Sequence, residues 1–425
     1  MKRYEKYKPT GIQWLPEIPE HWKVQRFGSL FKRKVVANDP SKELLSVFLD
    51  RGVIKASESD KRTHQASDDL SKYQLVEPTD FVMNNQQAWR GSVGVSNFIG
   101  IISPAYHLFA MPSCYNPHYA NYLLRDRVMV NLYDMSSKGV GSIQRTLNFN
   151  WLNNGKCILP SITEQNKIVA YLNKRITLIE NCKCQREREL RTLNELKQAE
   201  IASVVTRGLN PDVPMVYMDT PLKTKHPSHW KRVRNMTFLI EQTEKVGKQA
   251  DDYQLLSLTT NGIIVRDVES GKGKFPKDFE SYKVVEPGEL VFCLFDIDET
   301  PRTIGLSQNH GMITGAYDVF KVKEDIVNPS FVYAFYLVID NIKALKPYYS
   351  GLRKVVKHNR FMQIGFALPP IEEQNAIVEY IESKTNKIDT MIEALKAEID
   401  RLTEYKQRLI SDVVTGQIDV RGEQI

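Results

Sequence analysis

The sequence contains no apolar run approaching the ~18 residues needed to cross a bilayer, so no transmembrane helix is expected. Its start, Met1-Lys2-Arg3-Tyr4-Glu5-Lys6-Tyr7-Lys8-Pro9, lacks the apolar stretch of a signal peptide. Cysteine is scarce: Cys114, Cys157, Cys182, Cys184 and Cys293 are the five in 425 residues. An odd, sparse set predicts free thiols in a reducing compartment. Cys182 and Cys184 have half of a metal-site spacing, but no second Cys or His pair stands at zinc distance and no metal is expected. The chain also lacks G-x-G-x-x-G, a Walker A loop and H-E-x-x-H. Gly139-Val140-Gly141-Ser142 is answered later in the chain only by Gly351-Leu352-Arg353-Lys354, which argues against a nucleotide cradle. Charge of one sign is nearly absent as a signal. There are 58 Lys+Arg against 51 Asp+Glu, and the net charge of +7 is too small to name a partner.

What is present is an ordinary globular composition, 42% hydrophobic and 26% charged, on a chain too long for one core. It is written twice. Pro19-Glu20-His21-Trp22-Lys23 returns as Pro227-Ser228-His229-Trp230-Lys231, a shift of 208. Leu44-Leu45-Ser46 returns as Leu255-Leu256-Ser257, and Tyr73 to Pro78 as Tyr282 to Pro287. Ala105-Tyr106 returns as Ala316-Tyr317, and Asn116-Pro117 as Asn328-Pro329. Leu159-Pro160 with Glu164-Gln165-Asn166 returns as Leu368-Pro369 with Glu373-Gln374-Asn375. So long a period means a duplicated domain, not a solenoid.

Each half opens with a mixed α/β globular segment. Apolar runs after Pro-containing turns, at Asp80–Met83 and Gly288–Phe292, predict strands, as do Val93–Val95 and Ile99–Ile102. Asn116-Pro117 and Asn328-Pro329 predict helix starts, with Asn as N-cap and Pro in the first helical position. Asn116-Pro117-His118-Tyr119 and Asn328-Pro329-Ser330-Phe331 superficially resemble the adenine methyltransferase motif, but the second proline and a cofactor loop are missing.

Each half closes with a long helix. Residues 164–206 and 373–415 align without a gap and contain neither Pro nor Gly. Ile381, Ile388, Leu395, Leu402 and Leu409 recur at seven-residue steps, a coiled-coil seam. Ile377, Met391, Ile399, Tyr405 and Val413 are expected beside it. In the first helix the seam is Leu172, Ile179 and Leu193, interrupted by Arg186 and Glu200. At ~1.5 Å per residue each helix is roughly 65 Å long and unstable alone. The two are therefore expected to pair, and a pseudo-twofold relation between the halves makes them antiparallel. The expected fold is mixed α/β (α+β): two similar globular domains, 1–161 and 208–370, with a long helix at 162–207 and a second long helix and C-terminal tail at 371–425, the two helices forming an antiparallel coiled coil.

Candidate functional residues lie where the halves differ on a repeated framework. The stretch 84–90, with Gln86, Gln87, Trp89 and Arg90, faces 293–302, with the acidic Asp296, Asp298 and Glu299 and with Arg302. The stretch 138–145, with Lys138, Ser142, Gln144 and Arg145, faces 350–358, with Arg353, Lys354, Lys357 and His358. Gln, Arg, Asn and acidic side chains read base edges, and Lys/Arg clusters suit phosphates. One framework with two loop chemistries is what reading two different half-sequences of DNA requires.

The sequence resembles the specificity subunit (HsdS) of type I restriction–modification systems. The resemblance rests on Ile18–Lys23, Ser103-Pro104-Ala105-Tyr106, Leu159–Gln165, Leu368–Gln374 and the tail Val414–Arg421, in duplicated order with the helices. Thr314-Gly315-Ala316-Tyr317 and His226-Pro227 depart from the family's forms. The resemblance implies that each globular segment is a target recognition domain reading one half of a bipartite, asymmetric site in double-stranded DNA. It implies that the coiled coil sets half-site spacing and docks two modification (methyltransferase) subunits. Restriction (helicase–nuclease) subunits would join them in a prokaryotic cytoplasm. S-adenosylmethionine would belong to the modification subunits and ATP and Mg to the restriction subunits, leaving this chain without cofactor, metal or catalytic residue. Two further readings stay open: a free-standing nuclease or methyltransferase using the Asp296 cluster, and a coiled-coil adaptor that binds only proteins.

Overall fold

The computed structural model describes residues 2–34, 39, 41–58, 70, 72–139, 145–266, 279–351 and 354–423. They form two compact units, Met1–Glu187 with Ala397–Ile425, and Arg188–Lys396. Each long helix is thus divided between units, because its first half packs on its own globular segment and its second half on the other's.

In unit 1 a four-stranded antiparallel sheet runs in the order Lys32–Lys34, Tyr106–Ala110, Phe81–Asn84, Val93–Val95. Its alternation sends Phe81, Met83 and Phe109 into the main core with Trp22, Phe27, Tyr119 and Tyr133. Val82 and Leu108, on the opposite face, join Leu45 and Val76 in a second cluster. A separate pair, Lys23–Arg26 with Lys156–Leu159, brings the segment's beginning and end together. Helix Pro117–Arg125 starts as expected: Asn116 Oδ1 accepts the N–H groups of His118 at 2.8 Å and Tyr119 at 3.2 Å.

Unit 2 repeats the design. Leu239–Gln242, Asp318–Val322, Leu290–Phe292 and Ile304–Leu306 form the same sheet in the same order. Lys231–Arg234 pairs with Gly365–Leu368. Asn328 caps helix Pro329–Asn341 through Ser330 N at 2.8 Å. Phe292, Phe320, Phe331, Phe335, Tyr336 and Phe361 fill the core.

The long helices are Ile162–Arg207 and Ile371–Val414. Within unit 1, Glu180 meets Lys406 at 2.7 Å and Arg186 meets Glu398 at 3.0 Å. Within unit 2, Lys197 meets Asp389 at 2.6 Å and Tyr380 donates to Glu200 at 3.1 Å. One helix's numbers rise as the other's fall, so the pairing is antiparallel in each unit. Arg186 and Glu200, the breaks in the first seam, are therefore cross-helix partners. Of the seam, Leu172, Ile179, Ile388 and Leu409 are buried, while Leu193, Ile381, Leu395 and Leu402 are half-buried. Ile377 and Val413 are buried as expected, but Met391 and Tyr405 are exposed and Ile392 is buried instead. Ile392 lies four residues after Ile388 and so shares its face, where a position three residues on falls to the edge of so narrow a contact.

Candidate nucleic-acid interface

The turn after strand Phe81–Asn84 is built by Asn84, whose Oδ1 accepts the backbone N–H of Gln86 at 2.9 Å and of Gln87 at 3.2 Å. This projects the short helix Ala88–Arg90. Trp89 Nε1 donates to Gln86 O at 3.0 Å, fixing the indole. Two guanidinium groups then lie on that ring: Arg90 at 4.8 Å and Arg145 at 4.5 Å from its centroid. Arg145 also pairs with Asp134. Lys138 sits 4.8 Å over the exposed Trp151. Four of the expected residues, Gln86, Trp89, Arg90 and Arg145, thus meet in one basic, aromatic patch, with Gln87 in the same turn. Ser142, Gln144 and Arg353 lie outside the described residues.

A second group in unit 1 was not expected from the sequence. Arg33 lies 5.5 Å over the ring of Phe149, and His107 meets the same ring edge-on at 4.6 Å. His107 is buried with neither ring nitrogen hydrogen-bonded, and burial, with Arg33 second, lowers its pKa to about 4.

Register gives each of these a counterpart in unit 2. Arg33 is opposite Phe109, which is opposite Phe81; Glu241 is opposite Phe320, which is opposite Leu290. Arg33 therefore corresponds to Glu241 and His107 to Asp318. Phe149 and His358 correspond as the first residues of the matching short helices Phe149–Asn154 and His358–Met362. His358 Nδ1 lies 3.5 Å from Glu241, and its ring stacks on Phe320 at 6.0 Å. Burial raises the pKa of Asp318, opposed by Lys283 at 3.7 Å. An arginine–histidine–phenylalanine group in one unit is a glutamate–aspartate–histidine group in the other. Only the strand register aligns Arg33 with Glu241, whereas His107 and Asp318 each directly follow the repeated pairs Ala105-Tyr106 and Ala316-Tyr317.

The remaining expected residues of unit 2 divide. Lys354 reaches Asp298 at 3.3 Å and Glu299 at 3.8 Å, and Lys346 and Tyr349 also bind Asp298. The Asp296 loop is thereby tied to basic and phenolic side chains. Among the described residues no group of three His, Cys, Asp or Glu is placed to hold a metal ion. Lys357 is exposed at the N-cap of the short helix. Arg302 points inward: Nη1 donates to the buried Asp340 and to Asn341, both at 2.9 Å. With Lys343 it supplies counter-charge to Asp340, a framework role that its loop position did not reveal.

No family model and no curated protein sequence matches the chain. Among solved structures, a chain from work on complex assembly and conformational transition of the type I R-M system matches 94% of this chain and 99% of its own, with a TM-score of 0.66 at 13% identity. The HsdS subunit from Thermoanaerobacter tengcongensis matches over 94% and 98% at 15% identity, TM-score 0.48. The type I restriction–modification S subunit from M. genitalium matches over 92% and 96% at 13% identity, TM-score 0.34. The first match carries the comparison: this chain shares that fold over nearly its whole length, and the resemblance read from the duplicated motifs holds at the level of the fold.

Proposed function

We propose that the chain is the DNA-specificity subunit of a type I restriction–modification complex, with each globular segment reading one half of a bipartite site. The observation that supports this best is the reversal of chemistry on a common framework. At equivalent positions one unit offers Arg33, His107 and Phe149 and the other Glu241, Asp318 and His358. Arginine matches guanine's acceptors, whereas a carboxylate matches the exocyclic amine of cytosine. A protein that reads an asymmetric site needs such a difference between two domains that are otherwise alike. The Trp89–Arg90–Arg145 patch adds cations suited to phosphate or guanine. The helix pair in this reading spaces the two domains and carries the modification subunits. Methyl donor and nucleotide chemistry then belong to the partner subunits. No described helix is long and apolar enough to cross a membrane.

The test is recognition by chimaeras. The chain with its modification subunits should methylate a split, asymmetric site. Exchanging residues 80–150 for those of another recognition domain should change one half-site and leave the other intact. An unchanged pair of half-sites, or methylation and cleavage by this chain alone, would overturn the assignment.

A further inference from the structure

The two units differ at a second place, away from the loops discussed above, and the difference is one of unbalanced charge. In unit 1 the turn Glu77-Pro78-Thr79-Asp80 closes with Asp80 Oδ2 accepting the N–H of Glu77 at 2.9 Å. The ammonium of Lys34 sits between the two carboxylates, 2.9 Å from Asp80 Oδ2 and 3.1 Å from Oδ1, and also bonded to Glu77. Unit 2 has the same turn, Glu286-Pro287-Gly288-Glu289, with Glu289 Oε2 accepting the N–H of Glu286 at 2.9 Å. The residue in Lys34's place is Gln242, since Lys34 is opposite Leu108 and Gln242 opposite its counterpart Val319. The carboxylates remain, and the ammonium seated between them is gone; the nearest lysine, Lys321, acts on Glu289 only at longer range.

At that place unit 2 has a groove of about 250 Å³, lined by Gln242, Glu244, Glu286, Glu289, Lys321 and Glu324, with Val284, Val322, Pro287 and Gly288 as apolar wall. Of the lining carboxylates Glu289 is buried, at 5% exposure, and burial raises its pKa. Four carboxylates face one lysine, and among the described residues no ion pair joins Lys321 to any of them. His310 Nδ1, at 3.0 Å, is the partner of Glu286.

We propose that this groove binds a primary alkylammonium of the diamine or polyamine class, one ammonium seated on Glu289 and Glu286 as that of Lys34 is on Asp80 and Glu77. The warrant is that the same two carboxylates already hold an ammonium in the other copy of the turn. A metal ion fits less well, because no three ligands converge there. The valine and proline wall suits a methylene chain, and Glu244 and Glu324 suit a second ammonium along it.

Calorimetric titration of the full chain with 1,3-diaminopropane at constant ionic strength tests this. One saturable site is expected. Gln242→Lys places an ammonium in the groove from within and should weaken the site about tenfold or more. Glu289→Gln keeps the acceptor for the Glu286 N–H but removes the charge, and should weaken it likewise. Lys34→Gln should create a second site in unit 1. Absence of saturable binding, or equal binding by the wild type, Gln242→Lys and Glu289→Gln, would overturn the proposal.

Discussion

The side-chain oxygen of Gln165 accepts the backbone N–H of Asn116 at 2.7 Å, while its amide donates to Cys114 O at 2.8 Å and Pro160 O at 3.0 Å. Gln374 makes the same three bonds in unit 2, to Asn328 N, Ile326 O and Pro369 O. Both glutamines are fully buried. The repeated Glu-Gln-Asn motif is thus the joint between each globular segment and its own long helix. Gln165→Leu leaves one donor and two acceptors without partners in the interior. It should destabilise unit 1 by about 2–3 kcal/mol, seen as loss of its thermal transition, with unit 2 little changed.

Arg302 and Arg90 look alike in the sequence and should behave differently. Arg302→Ala removes one of two cations from the buried Asp340, leaving Lys343 at 2.8 Å. A loss of about 2–3 kcal/mol in stability is expected from denaturant unfolding. Arg90 is exposed and lies on Trp89. Arg90→Ala should leave stability unchanged and weaken binding of one half-site by ~1–3 kcal/mol in competition assays.

Thr79 and Gly288 occupy one position of the repeated turn, with φ of 76° and 87°. Each donates its N–H across the turn, to Ser96 O at 2.7 Å and Ser307 O at 2.8 Å. A Cβ at residue 288 would meet nothing within 4 Å, so Gly288→Ala isolates the cost of the left-handed backbone. It should lose about 1 kcal/mol by denaturant unfolding. Thr79→Gly relieves the same strain but adds freedom to the unfolded chain, so a smaller gain is expected.

His107 gives unit 1 a pH dependence. Its ring is held neutral by burial and by Arg33, with the pKa lowered from 6.5 to about 4. A depressed folded-state pKa contributes stability in full above pH 6.5, and that contribution is lost as the pH falls towards 4. The loss across this window should be about 3 kcal/mol in the wild type, and pH-dependent melting of His107→Leu should be flatter there.

Much of the candidate site was visible as a difference between two aligned halves. Gln86, Trp89, Arg90 and Arg145 stood out because a repeated framework changed character around them. Arg33 and Glu241 did not, since each is one residue in a strand with no punctuation near it; His107 and Asp318 follow the repeated Ala-Tyr pairs, and their difference in charge was the signal that could have found them. Arg302 and Arg90 could not be told apart, because whether a guanidinium faces outward depends on a carboxylate some forty residues away.

The sequence by itself determined the duplication, the long helices, the caps at Asn116 and Asn328 and the strand positions. These follow from local rules: heptad spacing, the absence of Pro and Gly, turn chemistry and repetition. The tertiary structure alone decided which side chains share a surface. Strand register aligns Arg33 with Glu241 and Lys34 with Gln242, and register is set by how two apolar faces pack, which no single segment specifies. It also turned the two polar breaks in the first seam, Arg186 and Glu200, into partners of Glu398 and Tyr380. It brought Lys34 onto Glu77 and Asp80, across more than forty residues of chain, and so exposed what unit 2 lacks at the same place.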